Sequence, residues 1–400
     1  MDFISNMDDI DITKLQEIGL SLAASIVNLE KRKFLSAMSI AKEPRIKVWI
    51  GFRGVGKTTA LLQLMKQENG IYFSFDHPYV LNHKLYEMGK AFFKNGYKTL
   101  MIDEVQYYSD WKKDSKALYD EFQEIHIILS GSAPLAFEPE RRYEIVQIEP
   151  MSLKEFIELQ GKEIEDPKDS WQNSDASLNF LANHQWLYEY YSHYLLGGGF
   201  PIYFTYQDKT LSAIYNSIRK SIWEDAPLFS SVKGEEIIVM EKILFSLATS
   251  SLGEFSINSL TKQLEIKKHG GYKLISLLEK MKILRFVLPH GKGPKLVRSE
   301  PKLMFYHPNL RSAICNALGV KADIGALREE LAVFSLALRG WHVRTIKGFK
   351  KNPDYYLEKN QQKIIIEIGG NSKTKQQLKG FSEKTILLDE RQLIALSLFP

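Results

Sequence analysis

Four hundred residues contain one cysteine, Cys315. A single thiol excludes an internal disulfide and fits a reducing compartment, so a cytoplasmic location is expected. With no metal-ligand neighbours, Cys315 reads as a small buried thiol. No apolar run approaches the roughly 18–20 residues of a membrane span, so no membrane partner is expected. The opening MDFISNMDDIDI is acidic and lacks the basic-then-apolar order of a secretory signal. Charge of either sign is nearly balanced, at a net +5, so its location matters more than its size. Hydrophobic content of 44% and charged content of 25% are ordinary for a globular chain. The length exceeds the roughly 250–300 residues at which one core stops growing, which predicts two or more domains.

Glycine is concentrated where it carries most information, between Arg45 and Thr59: RIKVWIGFRGVGKTT. A strand-like run over 47–51 leads into Gly51-Phe52-Arg53-Gly54-Val55-Gly56-Lys57-Thr58, a complete G-x-x-x-x-G-K-[ST] match, and then a helix-like TALLQLMKQ. Glycines allow successive N–H groups to turn inward around a phosphate at the positive end of the following helix. The spacing assigns Gly51, Arg53, Gly54, Val55, Gly56, Lys57, Thr58 and Thr59 to ATP binding. Lys57 is expected to reach the β- and γ-phosphates, and the Thr58 hydroxyl to bind Mg²⁺.

Residues 11–43 predict one or two helices ahead of this strand. A second strand is expected over 71–76 and a helix over 79–95. The run Lys98-Thr99-Leu100-Met101-Ile102-Asp103-Glu104 then ends in two carboxylates. Its form is that of a Walker B strand, with Asp103 holding Mg²⁺ and Glu104 orienting and activating the attacking water. After a helix over 114–122, the strand Ile125–Leu129 ends in Ser130-Gly131-Ser132. Either serine is placed to sense the γ-phosphate or position water. Arg141 and Arg142 are candidates to stabilise charge on a transferring phosphoryl group, in cis or from a neighbouring subunit. Alternating strands and helices around a phosphate loop predict an α/β fold, a parallel sheet covered on both faces.

The segments GFRGVGKTT, LMIDEVQYYSDW, IILSGSA and EPMSLKEF together resemble the predicted prokaryotic AAA+ ATPases that carry a C-terminal DUF4143-type region. Phe52 stands where that family usually has Pro, and Ser130 where it has Thr. Further on, Gly197-Gly198-Gly199-Phe200-Pro201 matches the family's GGFP. The resemblance implies an AAA+-like P-loop core over 44–160, preceded by N-terminal helices over 1–43.

Residues 161–240, rich in aromatics at helical spacing, predict a helical lid or connector. Between 241 and 312 the pattern becomes helix, turn (Glu265–Gly271), second helix (Tyr272–Ile283) and hairpin, the order of a winged helix-turn-helix, with Ser256 as a candidate N-cap. From Ser256 to Lys302 there are eleven Lys/Arg against three Glu, a local +8 within a chain of net +5. Basic charge so concentrated makes DNA the expected partner, with Lys262, Lys267, Lys268 and Lys273 as contacts. The alternative is a nucleotide-dependent switch or scaffold for a protein partner or a second copy, without DNA. Residues 319–400 resemble a small PD-(D/E)xK nuclease-like domain. Its carboxylates would be Glu330, Asp354 and Glu367, sharing a cation at one end of a hairpin. Gly369 occupies the usual lysine position, so Lys373 or Lys375 is expected to replace it.

Overall fold

The structure is a computed structural model, and it describes residues 10–26, 29–37, 43, 45–68, 70–132, 141–253, 256–291, 300–346, 353–369 and 375–399. The chain divides into two compact units: Met1–Phe52 with Gly56–Glu149, and Arg53–Val55 with Pro150–Pro400.

The first unit contains β1 (Ile46–Ile50), β2 (Ile71–Ser74), β3 (Thr99–Asp103), β4 (His126–Gly131) and β5 (Tyr143–Gln147). They pair in the order β2-β3-β4-β1-β5, every neighbouring pair parallel. The helices Lys57–Gln67, Leu85–Lys94 and Trp111–Glu121 connect them. β1 is buried at all five positions, as expected of a strand covered on both faces. Two N-terminal helices, Ile12–Ala24 and Lys33–Ala37, precede it. The helix expected over 79–95 is instead two, Pro78–Leu81 and Leu85–Lys94. His77 caps the first, its Nδ1 accepting from Tyr79 N–H at 3.2 Å.

In the second unit the expected lid is helical, from Leu153–Glu158 through Gly234–Thr249. Then come the helices Ile257–Gln263 and Lys268–Lys280 and the antiparallel pair β6 (Leu284–Val287) and β7 (Lys302–Phe305). The expected helix–helix–hairpin order is therefore present, with Ser256 Oγ accepting from Ser259 N–H. The connecting residues 292–299 lie outside those described. The second helix begins four residues before the sequence placed it. Gly271, read as part of a turn, lies inside that helix, where a Cβ would stand 2.0 Å from Thr261 Cγ2. Glycine is there to let two helices approach.

A four-stranded sheet follows, ordered β11-β10-β9-β8 from β8 (His342–Thr345), β9 (Tyr355–Lys359), β10 (Gln362–Ile368) and β11 (Lys384–Leu388). Its closing helix, Glu390–Ser397, does not stay with it alone. Gln392 Nε2 donates to Trp171 O at 2.8 Å, and Phe399 O accepts from Ser152 Oγ at 2.7 Å. The residues read as lid, helix-turn-helix and nuclease-like domain consequently form one compact unit.

The Gly197–Pro201 segment is a packing joint in that unit. Gly199 N–H donates to Asn309 Oδ1 at 2.8 Å, and a Cβ there would lie 2.2 Å from His307 Cε1. His307 Nδ1 accepts from Asn309 N–H, so the ring proton sits on Nε2, facing Tyr194 Oη at 2.9 Å. Tyr194 Oη in turn donates to Met151 O at 2.6 Å. A second ring proton would oppose the Asn309 N–H, and burial pushes His307 down to about 3. Above the ordinary imidazole value both folded and unfolded chains are neutral there. As pH falls below it, only the unfolded chain takes the proton, so stability is lost from about pH 6.5 downward. We expect the second unit to be about 2 kcal/mol less stable at pH 5 than at pH 7 through this residue. Urea midpoints at the two pH values check it. His307→Asn, itself a good N-cap, should abolish that share of the pH dependence.

Candidate functional site

In a parallel sheet the strand carboxyl ends face one crevice, and those of β1, β4 and β3 lie side by side. From β1 the chain turns through Gly54 (φ +87°) and Gly56 (φ +91°), backbone that suits glycine, into the helix Lys57–Gln67. Gly56 caps that helix without any side-chain bond, so the first-turn N–H groups present a positive end. Lys57 is buried, with Nζ donating to Gly51 O at 2.8 Å and Phe52 O at 3.3 Å. Its ammonium thus lies folded along the loop that it is expected to complete. Arg53, in the second unit, donates to both carboxylate oxygens of buried Asp225, at 2.9 and 2.6 Å.

Asp103 is a hub of donors. Thr58 Oγ1 donates to its Oδ2 at 2.6 Å and Tyr72 Oη to the same oxygen at 3.1 Å. Ser130 Oγ and Glu104 N–H donate to Oδ1. Register explains the convergence: Ser74 pairs with Asp103 and Ile102 with Leu129, which sets Ser130 abreast of Asp103. Tyr72 lies two residues back on β2, on the same face. Burial, with Asp103 beside it, holds the Tyr72 phenol well above its usual range, so it stays protonated and can donate to Asp103. Nothing in the sequence marked Tyr72, which is one tyrosine of an ordinary buried strand.

Glu104 adopts a left-handed backbone, φ 50° and ψ 42°. For a non-glycine residue this costs roughly 1–3 kcal/mol and persists only where neighbours enforce it. The enforcing contacts are Glu104 N–H to Asp103 Oδ1 at 3.0 Å and Tyr107 N–H to Glu104 O at 3.1 Å. Gln106 Nε2 donates to Glu104 Oε2 and, at 3.0 Å, to Ser132 Oγ. Gln106 is a second residue without an assigned role in the sequence; its position two after Glu104 was the available signal.

The structure therefore brings together Lys57, Thr58, Asp103, Glu104, Ser130 and Ser132. It does not bring the arginines to them. Arg141 and Arg142 precede β5, at the amino end of a parallel strand, about 16 Å of strand away from the crevice end. Arg142 pairs with Asp120 at 3.0 Å on the surface. That placement does not favour a role in cis.

In the second unit Asp354 and Glu367 do meet. Asp354 N–H donates to Glu367 Oε2 at 3.2 Å, and Ile368 N–H to Asp354 Oδ2 at 2.8 Å. Glu330 does not join them. Its Oε1 accepts from Arg311 Nε at 2.9 Å and Phe305 N–H at 3.0 Å, fully buried. Burial pushes this carboxyl up to about 7 against the pull of Arg311. The neighbouring Glu329 is the one that turns toward β9, accepting from Tyr355 Oη and Lys302 Nζ. A helical residue and its neighbour face about 100° apart, and spacing alone does not say which faces the sheet. Lys373 lies outside the described residues, and Lys375 opens the short turn Lys375–Leu378. Among the described residues no group of three His, Cys, Asp or Glu stands close enough to hold a metal ion.

Comparisons with known proteins agree with the first unit's architecture. Residues 43–157 match the family model AAA_14, described as an AAA domain, and residues 188–323 match DUF8612, a domain of unknown function. The second match does not show the DUF4143 resemblance or a nuclease-like fold, and it ends at 323, before most of the residues read as nuclease-like. Uncharacterized protein MJ1637 of Methanocaldococcus jannaschii is 29% identical over 365 residues, 82% of this chain and 76% of that protein. Uncharacterized protein MJ1544 of the same organism is 24% identical over 239 residues, 56% of this chain and 51% of its own length. The solved structure of C. elegans PCH-2 overlays at a TM-score of 0.21 and 14% identity, over 68% of this chain and 69% of that one. So low a score carries no argument. Among the described residues no helix is long and apolar enough to cross a membrane. The loop, the parallel sheet order and the family match agree that residues 43–157 carry an AAA-type domain of P-loop NTPase architecture.

Proposed function

We propose that this domain binds ATP with Mg²⁺ and hydrolyses it. The observation that carries the reading is the 2.6 Å bond from Thr58 Oγ1 to Asp103 Oδ2, beside a helix amino terminus without a side-chain cap. Both are hard oxygen donors of the kind Mg²⁺ takes, and phosphate and water would supply the remaining ligands. Mg²⁺ held there would neutralise charge on the phosphates. Lys57 leaves the Gly51 and Phe52 carbonyls for the β- and γ-phosphates. Glu104 orients and deprotonates the attacking water, while Ser130 holds Asp103 and Ser132 faces the γ-phosphate. The test is ATP turnover as a function of Mg²⁺ concentration in the full chain.

A second reading concerns what the turnover serves. Lys262, Lys267, Lys268 and Lys273 are all exposed on the helix-turn-helix, which favours binding of the DNA backbone. Lys273 is partly neutralised, with Nζ 3.2 Å from Glu236, so the other three carry most of the field. Lys262→Glu with Lys268→Glu should weaken binding to a random duplex about equally for all sequences. The slope of log affinity against log salt should flatten by about 2. Unchanged affinity would leave these helices to packing or to a protein partner. Cleavage at Asp354 and Glu367 would need a catalytic set other than Glu330.

A further inference from the structure

We propose that Gln106 is a positioning residue that couples Ser132 to Glu104, so that a phosphate drawing on Ser132 resets the catalytic carboxylate. The proposal rests on the ATPase reading above and adds to it how the γ-phosphate would be sensed. Gln106 is 9% exposed, and its amide is used unevenly. Both of its side-chain bonds leave from Nε2, one to Glu104 Oε2 and one to Ser132 Oγ. The amide is not reversed in this position, because an ionised carboxylate only accepts and would repel Oε1. Among the described residues, that Oε1 is buried with no hydrogen-bond partner. A buried acceptor left so costs about 1–3 kcal/mol. An amide with one end doubly used and the other unused has a second arrangement within reach.

The strain at Glu104 fits the same device. Its left-handed backbone is held from one side by Asp103, and its side chain from the other by Gln106. Asp103 is tied to Thr58, and Gln106 to Ser132 on the next strand. If Ser132 rotates about χ1 to donate its O–H to a phosphate oxygen, its Oγ moves out of reach of Gln106 Nε2, from which it now accepts. The amide is then released to rotate, and Oε1 can find a donor. Glu104 then changes its hydrogen bonding at the moment a substrate is in place. Ser132 and Glu104 thereby report on each other through one side chain, Gln106.

The experiment measures kcat, KM and ATP affinity for the wild type, Glu104→Gln, Gln106→Ala, Ser132→Ala and the double variant of the last two. Gln106→Met is added because it fills the same volume with no polar end, which separates a lost relay from a cavity. Both Gln106 variants should lose about 10- to 100-fold in kcat, the cost of a misplaced catalytic group, at unchanged ATP affinity. The double variant should turn over no more slowly than the poorer single, because one relay is broken twice. Wild-type kcat in Gln106→Met, or losses that multiply in the double variant, would overturn the coupling. If the wild type turns over and Glu104→Gln does not, such a result sinks this inference alone. A wild type that binds ATP without turnover sinks the ATPase reading and this inference with it.

Discussion

Glu104→Gln is expected to bind ATP as the wild type does and to turn it over roughly 10²–10⁴-fold more slowly, the range lost when a general base is removed. The amide is isosteric and keeps an oxygen for the Gln106 Nε2 bond, so the strained loop should stay in place. Lys57→Ala should fail at the earlier step. Its ammonium, now on Gly51 O and Phe52 O, is the loop's point charge for the phosphates, and nothing replaces it when the side chain is cut back. A fluorescent ATP analogue and a phosphate-release assay, run on both variants, read binding and turnover separately. Equal loss of binding in both would refute the division of roles between loop and carboxylate. Full turnover in Glu104→Gln would remove Glu104 from the chemistry altogether.

The second large effect is on stability. Glu330→Ala should destabilise the second unit by about 3–5 kcal/mol, because it leaves a buried cation without its carboxylate. Arg311 is 1% exposed, and besides Glu330 it donates to the carbonyls of Leu247, Ala248 and Ser250 at the end of the helix Gly234–Thr249. Those carbonyls are neutral and do not balance the charge. The Phe305 N–H on β7 loses its acceptor as well. The Arg311–Glu330 pair therefore ties together a helix end, a strand and the helix Ile324–Leu338. Glu330→Gln removes the charge as well and keeps only an oxygen for Arg311 Nε and the Phe305 N–H, so it should recover just the hydrogen-bond share of the loss, about 1–2 kcal/mol. Urea unfolding followed by near-ultraviolet circular dichroism resolves the two. A catalytic Glu330 would behave in the opposite way, losing an activity while leaving the fold as stable as before. A Glu330→Ala midpoint equal to wild type would refute the structural assignment.

The contrast between these two carboxylates shows where sequence reasoning reaches its limit. Glu104 was legible because its neighbours in space are close in the chain or on adjoining strands of a regular parallel sheet. A phosphate loop, an apolar strand ending in Asp-Glu and a following Ser-Gly-Ser each have a local form, and strand order then aligns their ends. Glu330 was misplaced because its partner, Arg311, belongs to another helix, and no local signal distinguishes Glu329 from Glu330. The same holds for Gly271, whose glycine reads as a turn until Thr261 is found against it. Arg141 and Arg142 were near the core in sequence, yet a parallel strand carried the crevice to its other end.

Local chemistry by itself determined that this chain has a P-loop domain, which residues form its loop, and where the Walker B carboxylates lie. Period and composition also determined the helix–helix–hairpin order and the basic charge on it. Only the tertiary structure decided that Tyr72 and Ser130 converge on Asp103, that Gln106 bridges Glu104 and Ser132, and that Glu330 serves a buried arginine. It also decided that the last helix seals residues 150–400 into one unit. The physical reason is common to all of these. Backbone preference and hydrophobic period act over a few residues, whereas desolvated charges and hydroxyls must find partners wherever the packed chain supplies them.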